Sequence, residues 1–313
     1  MKTFPAVEFK PLRLPKALPP GGTIGIINPS SPIELSLLDA GIAALESCGF
    51  RVLEAPHVRD CTGHHAGTPA ERAADFTQFY ADPQIDIIWC ARGGSSACRL
   101  WPLLDWAALA ALPPKMVVGY SDTTSLLLPL TQRVGVIALH GPLVFELGTL
   151  APALLDWQIG LLQNPQPAGQ VPDVAAETLV PGTAAGQLCG GCLSLVAATL
   201  GTPYQIDTAG KLLLIEDIGE APHRIERFLV QLAEAGLLHS AAGFIVGQAT
   251  DADDRETLPM RQIWSELLAP YHKPAVLGFP FGHVPNNYAL PLGVQARLDA
   301  DAKTLTLLQA AVE

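Results

Sequence analysis

Lys115 to Thr124 reads as a short apolar strand, Met116-Val117-Val118, then a sharp turn at Gly119-Tyr120-Ser121-Asp122, then the start of a helix that continues as Ser125-Leu126-Leu127-Leu128. A serine at such a turn projects its hydroxyl away from the sheet edge. The N–H groups of the helix start point at whatever negative charge arrives. That is the logic of the nucleophile elbow, G-x-S-x-G, matched here in part as Gly119-x-Ser121-x-Thr123. The competing reading is that Ser121 only caps the helix. Two more residues could complete a catalytic set. Glu216 ends the apolar run Lys211-Leu212-Leu213-Leu214-Ile215, and His283 follows Ala275-Val276-Leu277-Gly278-Phe279 in a loop of Gly and Pro residues. Each sits where a strand delivers a side chain to a loop. In a Ser–His–Glu set, Ser121 is the nucleophile, His283 the general base, and Glu216 orients the imidazole and stabilises its charged form. Asp217 and Glu220 compete with Glu216, and spacing alone does not choose among them. The non-catalytic readings are a helix cap or solvated edge for Glu216-Asp217 and a hydrogen-bonded loop histidine for His283.

The elements that must position these residues alternate. Thr23–Ile27, Arg51–Leu53 and Ile85–Cys90 read as strands, and Leu35–Cys48 and Ala70–Tyr80 as helices, with Gly49 as a stop signal. Such alternation predicts a parallel, doubly wound sheet, which binds ligands beyond its C-terminal strand ends. Three loops lie there: Asn28-Pro29-Ser30-Ser31, Ala91-Arg92-Gly93-Gly94-Ser95-Ser96, and Ser121-Asp122. Gly93 and Gly94 let the backbone approach a ligand closely, and their N–H groups could supply half of an oxyanion hole. An ordinary strand-to-helix turn is the alternative. His140, in Leu139-His140-Gly141-Pro142, is either catalytic or structural. The stretch from Ala151 to Gly182 is rich in Pro, Ala, Gln and Gly with poor apolar rhythm. The expected organisation is therefore a nucleophile domain over 1–150, a linker over 151–185, and a second domain over 186–313. The second domain carries Glu216 and His283, an amphipathic helix over Pro222–Ala235, and an antiparallel tail from Val294 to Leu308.

Composition bounds the function. Of 313 residues, 49% are apolar and 16% charged, which marks a globular chain with a sizeable core. Thirty acidic against 19 basic residues give a net charge of −11, and no Lys/Arg-rich run appears, which argues against nucleic acid as the partner. The one close cysteine pair, Cys189-Gly190-Gly191-Cys192, lacks the second pair or the spaced histidines of a zinc site, so core thiols in a reducing compartment are expected. Neither a signal-peptide core near Met1-Lys2-Thr3-Phe4 nor an apolar run of membrane-spanning length is present. The expectation is a cytoplasmic protein with no membrane partner, no metal and no cofactor. No G-x-G-x-x-G follows the first strand, so a dinucleotide fold lacks support.

Several spaced motifs together carry a resemblance. Leu18-Pro19-Pro20-Gly21-Gly22-Thr23-Ile24-Gly25-Ile26, Pro29-Ser30-Ser31-Pro32, Arg92-Gly93-Gly94, Gly119-Tyr120-Ser121-Asp122, His140-Gly141-Pro142, Gly190-Gly191, Glu216-Asp217 with Glu220, and Gly278-Phe279-Pro280 with Gly282-His283 occur in one order along nearly the whole chain. In this the sequence resembles the LD-carboxypeptidases, a serine peptidase family that also contains the microcin-immunity peptidases. The resemblance implies a Ser–His–Glu triad of Ser121, His283 and Glu216, and an oxyanion hole from the N–H of Asp122 plus that of Gly93 or Gly94. It implies a Rossmann-like parallel-sheet N-terminal domain and a smaller mixed α+β C-terminal domain, with the site at their interface. It further implies a metal-independent, cytoplasmic homodimer that removes the terminal D-alanine of murein tetrapeptides in wall recycling. Arg92 is the candidate for the substrate carboxylate. The chain departs from the family pattern at Cys192, where Asn is common, and at His223 and Glu226. Three other readings stand beside it. A microcin-immunity-like peptidase would cleave aminoacyl-nucleotide amides and calls for an aromatic clamp, with Trp264 and Phe281 as the residues to consider. An α/β-hydrolase-type esterase shares the Ser…acid…His order. A non-catalytic ligand-binding protein needs none of this chemistry.

Overall fold

The computed structural model describes residues 10–172, 174–251 and 259–313, so the N-terminal Met1-Lys2-Thr3-Phe4 stretch considered above lies outside the described residues. Five of the six strands of the first sheet come from the first half of the chain: β1 (Thr23–Ile27), β2 (Arg51–Glu54), β3 (Ile87–Cys90), β4 (Met116–Gly119) and β5 (Ala138–His140). They are mutually parallel in the spatial order β2-β1-β3-β4-β5. Four of the five are buried along their whole length, which is why they read as unbroken apolar runs. The helix Leu35–Ser47 buries Leu38, Gly41 and Leu45. The helix Pro69–Ala81 starts at a capping box, in which Thr68 Oγ1 accepts from Glu71 N and Glu71 Oε2 accepts from Thr68 N. The strand order reverses between β1 and β3, the position at which open α/β sheets form a ligand crevice.

The second sheet is built from β6 (Gly169–Gln170), β7 (Glu177–Val180), β8 (Thr183–Cys192), β9 (Leu212–Ile218), β10 (Gly243–Thr250) and β11 (Ala275–Leu277), while β12 (Leu290–Leu292) goes elsewhere and β13 (Gln295–Asp299) and β14 (Thr304–Leu307) complete it. Its order is β6-β14-β13-β8-β9-β10-β11-β7. The four central strands β8 to β11 are parallel, and antiparallel strands flank them on both sides. The expected α/β architecture with two units is present, but the second sheet, with eight strands, is wider than the six-stranded first one.

Two expectations need correction. Residues 151–185 are not a bare linker. They hold the helix Pro152–Gln163, which buries Leu154, Gln158, Leu161 and Leu162, together with β6, β7 and the start of β8. β6 and β7 are the two edges of the second sheet, where little apolar surface is required, so their composition resembles that of a loop. The chain also does not stay in one unit after residue 186. β12 returns to the first sheet and pairs antiparallel with β5, Leu290 opposite His140.

A single cluster of buried side chains runs through both sheets, from Ile26, Trp89, Val118 and Leu139 to Leu214, Ile245, Val276 and Leu298. A smaller cluster packs the helix Pro222–Glu234 through Ile225, Leu229 and Leu232 against Phe244 and Trp264. Gly191, near the end of β8, packs against residues of the first unit. Gly191 has φ +137°, and a Cβ there would lie 2.7 Å from Thr124 Oγ1 and 3.2 Å from the His140 ring. The neighbouring Cys192 N–H donates to Thr124 Oγ1 at 3.2 Å. Among the described residues, no helix is long and apolar enough to cross a membrane.

Replacing Gly191 with Ala therefore forces both a strained backbone and an overpacked contact. We expect a loss of about 1–3 kcal/mol of stability, read as a lower urea midpoint with an unchanged slope. An unchanged midpoint would show that the two sheets are not in contact at this point.

Candidate active site

Ser121 lies two residues beyond the end of β4. Tyr120 is extended, and Ser121 turns into the left-handed region with φ +62°, a conformation that costs energy in a non-glycine residue. The turn is held from both sides. Thr123 Oγ1 donates to the Tyr120 carbonyl at 2.8 Å, and Ser125 Oγ donates to the Asp122 carbonyl at 2.7 Å. The Asp122 carboxylate is buried and accepts from Ser30 Oγ at 2.6 Å and from Ala97 N at 2.8 Å. It thereby ties the loops after β1 and β3 to the serine turn. Burial is the main influence on this carboxyl and raises its pKa.

His283 and Glu216 reach the serine from the second unit. His283 Nε2 lies 3.0 Å from Ser121 Oγ, and His283 Nδ1 lies 2.6 Å from Glu216 Oε2. The same oxygen accepts the His283 backbone N–H at 3.2 Å, which fixes the loop as well as the ring. Gly282 allows this closeness: it has φ +85°, and a Cβ there would lie 2.4 Å from the Glu216 carboxylate. Its N–H donates to Asn287 Oδ1 at 2.8 Å, a buried loop brace that the sequence did not single out. The Tyr120 ring covers one side of the imidazole at 4.9 Å between centroids, and its hydroxyl donates to Glu146 Oε1 at 2.8 Å. Tyr120 lies inside the serine motif, where it was given no role, and Glu146 was not singled out in the sequence.

The choice among the three acids follows from strand geometry. Successive side chains of β9 point to opposite faces. Glu216 is fully buried and faces His283, whereas Asp217 turns away and accepts from Ser194 N and Ile218 N. Glu220 pairs with Arg224. The two glycines also differ. A Cβ on Gly93 would lie 2.9 Å from Ser121 Cβ and 3.6 Å from Asp122 N, so the Gly93 backbone flanks the serine turn. Gly94 instead packs on Ser31. Arg92 is exposed and donates to the Pro32 carbonyl at the rim of these loops.

The remaining candidates lie elsewhere. His140 sits on β5, buried behind Glu216, and does not touch Ser121 in the hydrogen-bond network. Cys189 and Cys192 are unpaired, buried thiols, and burial pushes both pKa values up, Cys189 to about 12. Trp264 and Phe281 are both core residues, Phe281 edge-on to His140, so neither offers a face to a nucleobase. One group among the described residues, His57, Asp60 and Glu71, brings metal-ligand atoms within 4.8 Å of one another. His57 Nδ1 is already bonded to Asp75 at 2.8 Å, and Glu71 caps its helix.

Comparison with known proteins agrees along the whole chain. Residues 24–141 match the LD-carboxypeptidase N-terminal domain and residues 185–298 the LD-carboxypeptidase C-terminal domain. A Bacillus subtilis protein named "Probable murein peptide carboxypeptidase" is 35% identical over 98% of this chain and 97% of its own. The muramoyltetrapeptide carboxypeptidase of Oxalobacter formigenes has a similar structure, with TM-score 0.82 and 30% identity over 91% of this chain and 97% of its own. The microcin C7 self-immunity protein MccF of Escherichia coli is 25% identical over 97% of both chains. Its complex with aspartyl sulfamoyl adenosine superposes with TM-score 0.88, covering 96% of this chain and 100% of that one.

Electrostatics shifts the titration of His283. Burial, the largest influence on His283, lowers its pKa. The hydrogen bond and charge of Glu216, with the charges of Asp217 and Glu146, outweigh it, so the net pKa is raised above 6.5. Only the neutral ring can accept the serine proton. With His283 as the expected general base, kcat/KM should drop tenfold per pH unit as pH falls through that raised pKa, on an acid limb whose midpoint lies above 6.5. A midpoint below 6.5 would mean that Glu216 does not hold the ring in solution.

Proposed function

Because this chain belongs to the LD-carboxypeptidase family, we propose that it is a serine carboxypeptidase hydrolysing the L,D-peptide bond to the terminal D-alanine of murein tetrapeptides. The observation that carries the reading is the imidazole of His283, bonded on one nitrogen to Ser121 Oγ and on the other to Glu216. The relatives named for murein peptides support the substrate class. The burial of Trp264 and Phe281 favours a peptide over an aminoacyl-nucleotide.

The chemistry follows from the positions. Ser121 Oγ attacks the carbonyl carbon before the terminal D-residue while His283 Nε2 takes its proton. The N–H of Asp122 and that of Gly93, the glycine next to Ser121, receive the charge developing on the carbonyl oxygen, with Gly94 the alternative donor. The tetrahedral intermediate collapses, the C–N bond breaks, and His283 returns the proton to the departing amine of D-alanine. Water then attacks the ester on Ser121, His283 takes a proton from it, and Ser121 regains its hydroxyl. Glu216 orients the ring and stabilises its charged form throughout. Arg92, exposed at the rim, is assigned the free carboxylate of the substrate. The proposal includes a two-domain organisation with the site between the domains, and a homodimer acting in the cytoplasm, where wall fragments are recycled.

The test is D-alanine release from a murein tetrapeptide, with and without chelator. Wild type should release D-alanine at a rate that chelator leaves unchanged, and Ser121→Ala should lose a factor of about 10⁴–10⁶. Release that survives Ser121→Ala would overturn the nucleophile. No release by wild type would remove the murein substrate, and aminoacyl-nucleotide amides would replace it.

A further inference from the structure

His140 is a fully buried ionisable group beside the site, and the mechanism above does not use it. It ends β5, paired with Gly119 on one side and Leu290 on the other. Its ring is fully buried, wedged edge-on between Tyr120 at 5.7 Å and Phe281 at 5.6 Å. Neither ring nitrogen has a hydrogen-bond partner among the described residues. Glu216 presents the complementary defect. Its Oε2 serves His283 twice, while its Oε1, also buried, has no partner. The two defects face each other, with His140 Nε2 and Glu216 Oε1 3.8 Å apart.

Buried polar groups without partners are costly, and one contact satisfies both of these. A closing movement of about 1 Å brings the pair to hydrogen-bond distance. We infer that His140 is a positioning residue that donates its Nε2–H to Glu216 Oε1, so that the carboxylate is held at both oxygens and presents Oε2 to His283. The tautomer follows from the geometry. A proton on Nε2 faces a carboxylate oxygen, whereas a lone pair there would be repelled by it. The ring acts as a neutral donor, because burial, the largest influence, pushes its pKa down to about 4. It therefore shares the Glu216 charge without adding a second cation beside His283.

The role rests on the triad reading, and its consequence appears at His283. The groups that act on His283 are Glu216, bonded to it from β9, the Tyr120 and His140 rings from the first sheet, and, through their charge alone, Asp217 on the other face of β9 and Glu146 from the helix Val144–Leu147. Losing the His140 donor leaves the Oε1 charge unshared. The carboxylate then holds the His283 proton more strongly, and the titration midpoint of His283 rises.

The experiment is an NMR titration of histidine-labelled protein without substrate. In the unaltered protein the ¹⁵N shifts should show His140 protonated at Nε2 and bare at Nδ1 across neutral pH. Protonation at Nδ1 instead overturns the inference without any variant. His140→Phe, which keeps the ring volume, and His140→Leu should raise the His283 midpoint by about 0.5–1 pH unit. His140→Gln, which returns an N–H donor, should move it back toward wild type. The acid limb of kcat/KM should follow the same order. Equal midpoints in wild type and the apolar variants, or a Gln variant matching Phe, overturn the inference. Because the titration needs no substrate, failure of D-alanine release by wild type would remove the murein reading and leave this result standing.

Discussion

The arrangement depends on one imidazole that must be held from two sheets at once. Ser121 is delivered by β4 of the first sheet and Glu216 by β9 of the second, and His283 hangs in a loop between β11 and β12. Its two ring nitrogens span the gap, 3.0 Å to one side chain and 2.6 Å to the other. A shift of the two sheets by an ångström would break one of these contacts, and misplacement on that scale costs about 10² in rate. The fold opposes such a shift in three places. β12 crosses back to pair with β5, Gly191 lets β8 touch the helix after Ser121, and one core runs through both sheets. The chain crosses back to the first sheet at β12 before returning to the second at β13.

The loops around the serine are coupled in a similar way, through a buried carboxylate. Asp122 accepts from the loop after β1 and from the loop after β3. The strained φ of Ser121 persists because these bonds, together with those of Thr123 and Ser125, over-determine the turn. The Gly93 backbone lies against the serine turn, so Ser121 and the neighbouring N–H groups are positioned as one unit.

How much of this could be read from the sequence depends on whether each feature is local. The serine turn was legible because a strand, a turn and a helix start are all written within ten residues. The loops at the C-terminal strand ends followed from the alternation of elements. Spacing alone left Glu216 and Asp217 open, and only the family resemblance favoured Glu216, since the choice depends on which face of β9 meets the first unit, and one residue of register reverses that. The edge strands β6 and β7 were hidden by their composition, and β12 by its central proline, Leu290-Pro291-Leu292. Proline is tolerated there because β12 is the outermost strand of the first sheet. His140 was noticed as a histidine after a strand, but its relation to Glu216 needs the two units in contact, and no spacing encodes that.

The measurement that bears most directly on the site is the effect of Glu216→Gln on kcat/KM in two backgrounds, wild type and His283→Ala. If Glu216 acts only through the ring, the substitution costs about 10⁴-fold in the first and nothing further in the second. The same loss in both backgrounds would mean that Glu216 works independently of His283, and the Ser121–His283–Glu216 relay would be contradicted.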